Sequence, residues 1–391
     1  MPTASKQKTI LWTSGLARTY CNYVAEHNHR NRLLLLGLEA SEPRWMAKLK
    51  QQLDITFISC DLTKIPTIPT HQWPQDLLDI IHQDLVVDAI IVGIRPPLLY
   101  WSHDWFCKQS QDILSGLDLL LQSIFQKNSP TNHKKCIRQV IHVSSVAAVN
   151  HLQPQIMQRE GQEYTASDIN NSNILIAPYD RFKRQSEIIL ERHCQRSSIS
   201  CTHLRISAIF SDDNFCIQCS ALHLQLHCAP KSMPIRIDCN SGRNVAIAIH
   251  LLLMQEQCKN ERKDSNDRNS LNSGECQYYY YTRPTHHPQP LAYGQFLKHF
   301  RAAYQIPSWS IVSFPSVWMQ CLVAMIHWMA TETLLSRLMP FLESIDYLLQ
   351  VSSREHTFDN TLFKTDFPQL SRMEESIPEC FVRRRRFLGQ Q

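Results

Sequence analysis

Tyr179 and Lys183 stand four residues apart in the run Tyr179-Asp180-Arg181-Phe182-Lys183, and Ser144-Ser145 closes an apolar run, Val140-Ile141-His142-Val143. On a helix, a residue and the fourth beyond it share a face. There a Lys ammonium lowers the phenol pKa and can hold a nucleotide ribose, while a Ser hydroxyl at a nearby strand end can polarise a carbonyl. Together these groups make a proton-transfer site beside a hydride carrier. A Tyr–Lys pair at this spacing is common by chance. Its weight comes from the strand, the Ser pair and the order of the elements around them.

Those elements alternate. Thr9 to Trp12 reads as a first strand, followed by a helix through Tyr20 to Val24. Arg32 to Leu36 is a second strand, Trp45 to Leu53 a helix, and Ile55 to Ile58 a third strand ending at Asp61. Val86 to Val92 is a fourth strand, Gln111 to Phe125 an amphipathic helix, and Val140 to Val143 a fifth strand. A helix from Pro178 to His193 leads to a sixth strand, Ser200 to Ile206. Later, Tyr278 to Thr282 reads as a strand, Ala292 to Tyr304 as a helix, and helical segments run from Ser316 to about Gln350. Short continuous apolar strands between helices predict a parallel sheet covered on both faces. The fold class is therefore α/β: a Rossmann-type, doubly wound parallel sheet with a smaller C-terminal substrate-binding part, whose ligands sit at the carboxyl ends of the strands.

The 391 residues suffice for a full core. The boundaries expected are a nucleotide-binding domain over 8–206, a substrate-binding part over 207–375 that includes the last sheet elements, and a basic tail over 376–391. A polar insertion falls at 259–273. The net charge of +5 is mild and sits partly in Arg383-Arg384-Arg385-Arg386, which reads as a solvated tail, so nucleic acid is not an expected partner. Fourteen scattered Cys and a polar opening from Met1 to Lys8 with no long apolar run after it predict free thiols in a reducing, cytoplasmic setting. Ile311 to Ala330 is largely apolar but holds Pro315, Gln320 and His327, so it reads as a buried or membrane-surface helix, with peripheral membrane contact left open.

The order of motifs resembles the extended short-chain dehydrogenase/reductase superfamily, nearest to its 3β-hydroxysteroid dehydrogenase and NAD-dependent epimerase/dehydratase branch. His142-Val143-Ser144-Ser145 resembles the strand of the catalytic Ser, and Tyr179, Lys183 and Glu187 match the helix pattern YxxxKxxxE. Leu204-Arg205-Ile206 with Ile209-Phe210, the helix start from Asn244 to His250, and the late segment from His356 to Lys364 follow in the superfamily's order. The resemblance covers roughly residues 8 to 375. It implies Tyr179 as general acid/base, Lys183 as ribose-binding and pKa-lowering partner, and Ser145 as hydrogen-bond donor to the substrate oxygen, with Ser144 as the fallback. It implies NAD or NADP as cofactor, a small-molecule substrate, and a homodimer by analogy.

The cofactor loop departs from the pattern. GxGxxG between first strand and helix allows the turn, a close approach to pyrophosphate and close helix packing. Here Thr13 and Arg18 take the outer places and only Gly15 remains. The Arg18 side chain either pushes the helix off the strand or binds phosphate directly. The acid that normally meets the ribose 2′-hydroxyl is displaced to Glu39, two residues past Gly37, so NADP stays open. Asp61-Leu62 resembles the adenine-side contact, with a turn-capping Asp as the alternative. Gly93 would let the fourth strand approach the cofactor, and Asp112 stands where the superfamily usually has Asn, before Gly116.

Cys216, Cys219, His223 and His227 offer zinc-type ligands, but all four lie in one short stretch with Leu between them, and His286-His287 sits between prolines. No metal site is expected from either. The aromatic residues Phe210, Phe215, Trp309, Phe314, Trp318 and Trp328 suggest an apolar pocket or core, which favours a sterol-like alcohol or ketone as substrate. A nucleotide-sugar epimerase or dehydratase would need cations for a diphosphate, for which Arg205 and Arg236 are the candidates. The third reading, motivated by the eroded loop, is a non-catalytic binding or regulatory module on the same fold.

Overall fold

The computed structural model describes residues 7–13, 15–37, 42–82, 85–94, 96, 103–126, 137–149, 155–158, 178–210, 228–230, 236–263, 276–285, 291–305, 312–314, 316–331, 356–358 and 360–388. Seven strands build one sheet: β1 (Lys8–Thr13), β2 (Asn31–Gly37), β3 (Asp54–Ser59), β4 (Ala89–Val92), β5 (Gln139–Ser145), β6 (Ser200–Ile206) and β7 (Cys276–Tyr280). Their order across the sheet is β7-β6-β5-β4-β1-β2-β3, and every pairing is parallel. The strand order reverses between β1 and β4, where a doubly wound sheet opens a crevice for ligand.

Helices cover both faces, as the continuous apolar strands require. The helices are α1 (Ala17–Glu26), α2 (Arg44–Leu49), α3 (Gln75–His82), α4 (His103–Gln126), α5 (Pro178–Ser197) and α6 (Gly242–Lys263). One core layer joins the sheet to α1 and α6 through residues such as Trp12, Tyr20, Leu33 and Ile249. The other joins it to α3, α4 and α5 through Leu11, Leu77, Leu117 and Phe182. Gly116 of α4 marks a close approach: a Cβ there would lie 1.9 Å from the Leu62 carbonyl oxygen.

Beyond β6 the chain adds α7 (Tyr293–Tyr304), α8 (Ser316–Thr331), α9 (Thr361–Asp366), α10 (Leu370–Met373) and α11 (Ile377–Leu388). The basic segment is not a solvated tail. It forms α11, whose Ile377, Cys380 and Phe381 share a core with Phe210, Phe296 and Phe300. The charges find partners too: Arg383 pairs with Glu375 at 2.8 Å, and Arg385 donates to the Ala303 carbonyl at the end of α7. The polar stretch expected as an insertion at 259–273 begins as helix, since α6 runs to Lys263; 264–273 lie outside the described residues. Among the described residues no helix is long and apolar enough to cross a membrane. On α8, Trp318 is 67% and Trp328 56% exposed, which removes the buried alternative and leaves the surface one of the two expected there.

Candidate active site

The carboxyl ends of β1, β4 and β5 are neighbours, so Thr13, Gly93 and Ser145 meet along one edge. The N-terminus of α5 brings Tyr179 and Lys183 to the same edge. Lys183 is only 4% exposed, and its Nζ donates to the carbonyl of Ile94, just past β4, at 2.9 Å. That bond uses one of three ammonium protons and fixes the helix against the strand end. Tyr179 is half-buried, with Lys183 Nζ 6.0 Å from its ring centre. The one-face geometry expected from the spacing is present.

The two serines separate by strand alternation. Ser144 is buried and donates to Glu187 Oε1 at 2.6 Å, so it is committed to the interior and the fallback role falls away. Ser145 lies half-buried at the end of β5, where its Oγ accepts the Ala147 N–H at 3.2 Å. It thus caps the turn that follows the strand as an acceptor.

Behind the pair lies an ionic cluster whose partners sequence spacing does not reveal. Glu187 is fully buried and receives Arg205 in a two-pronged contact, Nε to Oε1 at 3.0 Å and Nη2 to Oε2 at 2.9 Å. Arg184 Nη1 adds 2.9 Å to Oε2. Burial pushes the Glu187 carboxyl up, but the Arg205 guanidinium outweighs it and holds the group well below the usual carboxylate range. Arg205 is therefore occupied and does not serve a substrate diphosphate. Beside it, His142 is held far below the ordinary imidazole value by burial first, then by His203 and Lys183. Asp180, missed in the sequence and fully buried, sits in the first turn of α5, where a carboxylate suits the helix dipole.

The cofactor loop holds its Gly for a physical reason. Gly15 has φ of +52°, and a Cβ on it would lie 2.5 Å from the Gly93 carbonyl oxygen. Thr13 replaces the first Gly by bonding to β4: Gly93 N–H donates to its Oγ1 at 3.3 Å and to its carbonyl at 3.0 Å. Arg18 is half-exposed and does not push α1 away, since the Trp12 and Tyr20 rings pack at 4.8 Å between strand and helix. The first turn of α1 has neither a side-chain cap nor a carboxylate. Uncapped first-turn N–H groups, a positive-φ Gly and an Arg in that turn fit a pyrophosphate.

Asp61 follows β3, but its Oδ1 accepts Thr63 N–H at 3.0 Å and Thr63 Oγ1 at 2.7 Å. It is a turn-capping residue first, and Leu62 beside it is buried core. Phe210 belongs to the core with Phe296 and Phe381, not to a pocket. Glu39, Phe215, Trp309, the Cys216 to His227 cluster and His286-His287 lie outside the described residues.

No protein-family model matches the chain, and no curated protein matches it in sequence. Its fold is shared with solved structures. The terminal R domain of the myxalamid PKS-NRPS biosynthetic pathway is 14% identical with a TM-score of 0.64, over 100% of this chain and 93% of that one. The dTDP-glucose 4,6-dehydratase of Bacillus anthracis, solved with NAD, is 10% identical with a TM-score of 0.58, over 98% and 97%. The Bordetella bronchiseptica enzyme WbmH, in complex with NAD+, is 11% identical with a TM-score of 0.53, over 98% and 99%. The chain has the Rossmann-type α/β fold that these structures share.

Proposed function

We propose that this protein is an NAD(P)-dependent oxidoreductase that interconverts a secondary alcohol and a ketone, with Tyr179 as the acid/base. The observation that carries the reading is Lys183. It is a buried cation tied to the end of β4, on the same helix face as Tyr179 and at the same sheet edge as Ser145. The Gly15–Arg18 turn would hold the pyrophosphate, and Lys183 would reach the ribose. When bound, the nicotinamide supplies the hydride.

In the reducing direction Tyr179 gives its phenolic proton to the carbonyl oxygen, and in the oxidising direction it takes it back. The Lys183 ammonium favours the phenolate, and Ser145 donates a hydrogen bond to the same substrate oxygen. The WbmH and dehydratase neighbours, both solved with NAD, support the cofactor. An apolar, sterol-like alcohol fits better than a nucleotide sugar, because Arg205, one of two cations offered for a diphosphate, is held by Glu187. Small-molecule turnover by a homodimer would complete the resemblance, and light scattering of the purified chain reads that state.

The test begins with nicotinamide fluorescence on titration with NADH and NADPH, for wild type and Arg18→Gly. It continues with oxidation of a panel of apolar secondary alcohols by wild type and Tyr179→Phe. Saturable binding by wild type is expected, and the Phe variant should bind alike but turn over about 10²–10⁴-fold more slowly. Binding only after Arg18→Gly would move the assignment to a non-catalytic module. A Phe variant with full turnover would remove Tyr179 from the mechanism.

A further inference from the structure

β6 and β7 pair in register with Cys201 opposite Cys276, so their side chains leave the same face of the sheet. His203, two residues along β6, shares that face. The face is the one covered by α5, whose Cys194 is buried in the same core layer as Cys201 with its thiol adjoining that of Cys201. Cys201 Sγ, Cys276 Sγ and a ring nitrogen of His203 all lie within 4.8 Å of one another.

The spacing is that of a coordination shell. Cys201 Sγ stands 3.6 Å from His203 Nε2. A tetrahedral zinc with ordinary Zn–S and Zn–N lengths separates a sulfur from a nitrogen by about 3.6 Å.

The hydrogen-bond chain aims the right nitrogen. Ser186 Oγ gives its proton to the Lys183 carbonyl at 2.7 Å, so it accepts from His142 Nε2 at 3.3 Å. With the His142 proton on Nε2, its Nδ1 accepts from His203 Nδ1 at 3.0 Å. This assignment follows from the network. It leaves His203 Nε2 as the nitrogen that faces the thiols, with its other nitrogen oriented by a partner, as metal-binding imidazoles have. Glu191 Oε1 is 3.9 Å from Nε2, but it is already held by Arg184 at 2.8 Å and Tyr278 Oη at 2.7 Å. Cys194 is not among the three residues whose ligand atoms lie within 4.8 Å of one another; its thiol adjoins that of Cys201.

We propose that Cys201, His203 and Cys276 bind one structural zinc ion, tying the edge strand β7 to β6. Binding converts the Cys201 and Cys276 thiols to thiolates and releases two protons, with no redox change. Two thiolates and one imidazole fill three positions of a tetrahedral zinc, and Cys194, whose thiol adjoins that of Cys201, is the candidate for the fourth. The site is independent of the oxidoreductase reading and stands if that reading falls.

The test uses the full chain purified under reducing conditions without chelator. Elemental analysis should find one zinc per chain. Cobalt substitution should give the visible ligand-field and near-ultraviolet thiolate bands of a tetrahedral site. Cys276→Ser and His203→Ala should lose the metal, while Cys60→Ser, a buried thiol beyond β3 at the opposite sheet edge, should keep it. Where a variant fails to fold, wild type decides alone: chelator-treated protein should regain one zinc against a chromophoric competitor and unfold at a higher temperature with zinc than without. Wild type that takes up no zinc and shows no thermal shift overturns the proposal. So does metal retained in both ligand variants, or a Cys201–Cys276 disulfide in the protein as isolated.

Discussion

Replacing Glu187 with Gln tests whether the buried cluster fixes α5. The carboxylate receives two bonds from Arg205, one from Arg184 and one from Ser144. Gln keeps one acceptor oxygen and turns an amide toward a guanidinium, leaving the buried Arg205 uncompensated, while Arg184 keeps Glu191 at 2.8 Å. Removing one partner of a buried ion pair costs about 3–5 kcal/mol. For a chain of this length the unfolding entropy is roughly 0.8 kcal/mol per degree, so the melting temperature should fall by about 4–6 °C. The pH dependence gives a sharper reading. The folded carboxyl is held below its unfolded value, so its contribution is complete above the unfolded pKa and drains away as pH falls toward the folded one. The gap between wild type and Glu187→Gln should therefore be constant from pH 7 to about 5 and shrink by about 1.4 kcal/mol per pH unit below about 4. Scanning calorimetry of both proteins from pH 7 to pH 3 reads both quantities. Equal melting temperatures at pH 7, or a gap that does not change with acid, would refute the argument.

Gly15→Ala must place an L residue at positive φ, about 1–2 kcal/mol, with its Cβ against a backbone oxygen that cannot turn aside. A loss of about 2–5 kcal/mol in urea unfolding is expected once overpacking is added, whereas Gly294→Ala, with nothing within 4 Å, should gain up to about 1 kcal/mol from helix propensity. His250 is pushed down to about 4 by burial first, then by His29 and His27. Its folded pKa lies below the unfolded one, so stability should be lost as pH falls from about 6.5 toward 4. His250→Phe should flatten that limb in pH-dependent urea titrations, and an unchanged slope would show that another group sets it.

The sheet was legible because its strands are continuous apolar runs, and β6 starts and ends where the pattern places it. Ends are less legible where polar residues intervene. The helix expected to Leu53 stops at Leu49, where Gln52 N–H turns back to the Leu49 carbonyl. The C-terminal Arg run hid a helix whose signal was present: Ile377, Cys380 and Phe381 follow the spacing of one helical face. Ser145, Tyr179 and Lys183 were visible as a motif because two of them lie on one helix. The partners of Glu187 were not, since Arg205 comes from the next strand and Arg184 from the helix's own buried side. The Cys201, His203 and Cys276 group was hidden for the same reason: β6 and β7 meet only in the folded sheet.

The cluster around Glu187 is a poor source of stability, because desolvating these charges offsets most of their attraction. Its value lies in geometry. α5 could pack its apolar residues Phe182, Leu190 and Cys194 on the sheet in more than one axial register. A two-pronged Arg205 contact from β6 and a Ser144 bond from β5 fit only one register. That register sets Lys183 against the Ile94 carbonyl and with it Tyr179, whose ring centre is 6.0 Å from the Lys183 Nζ. A buried ion pair four residues beyond the Lys thus acts as the locating pin of the proposed proton donor, and a slip of one turn, about 5.4 Å, would take both groups out of reach of Ser145.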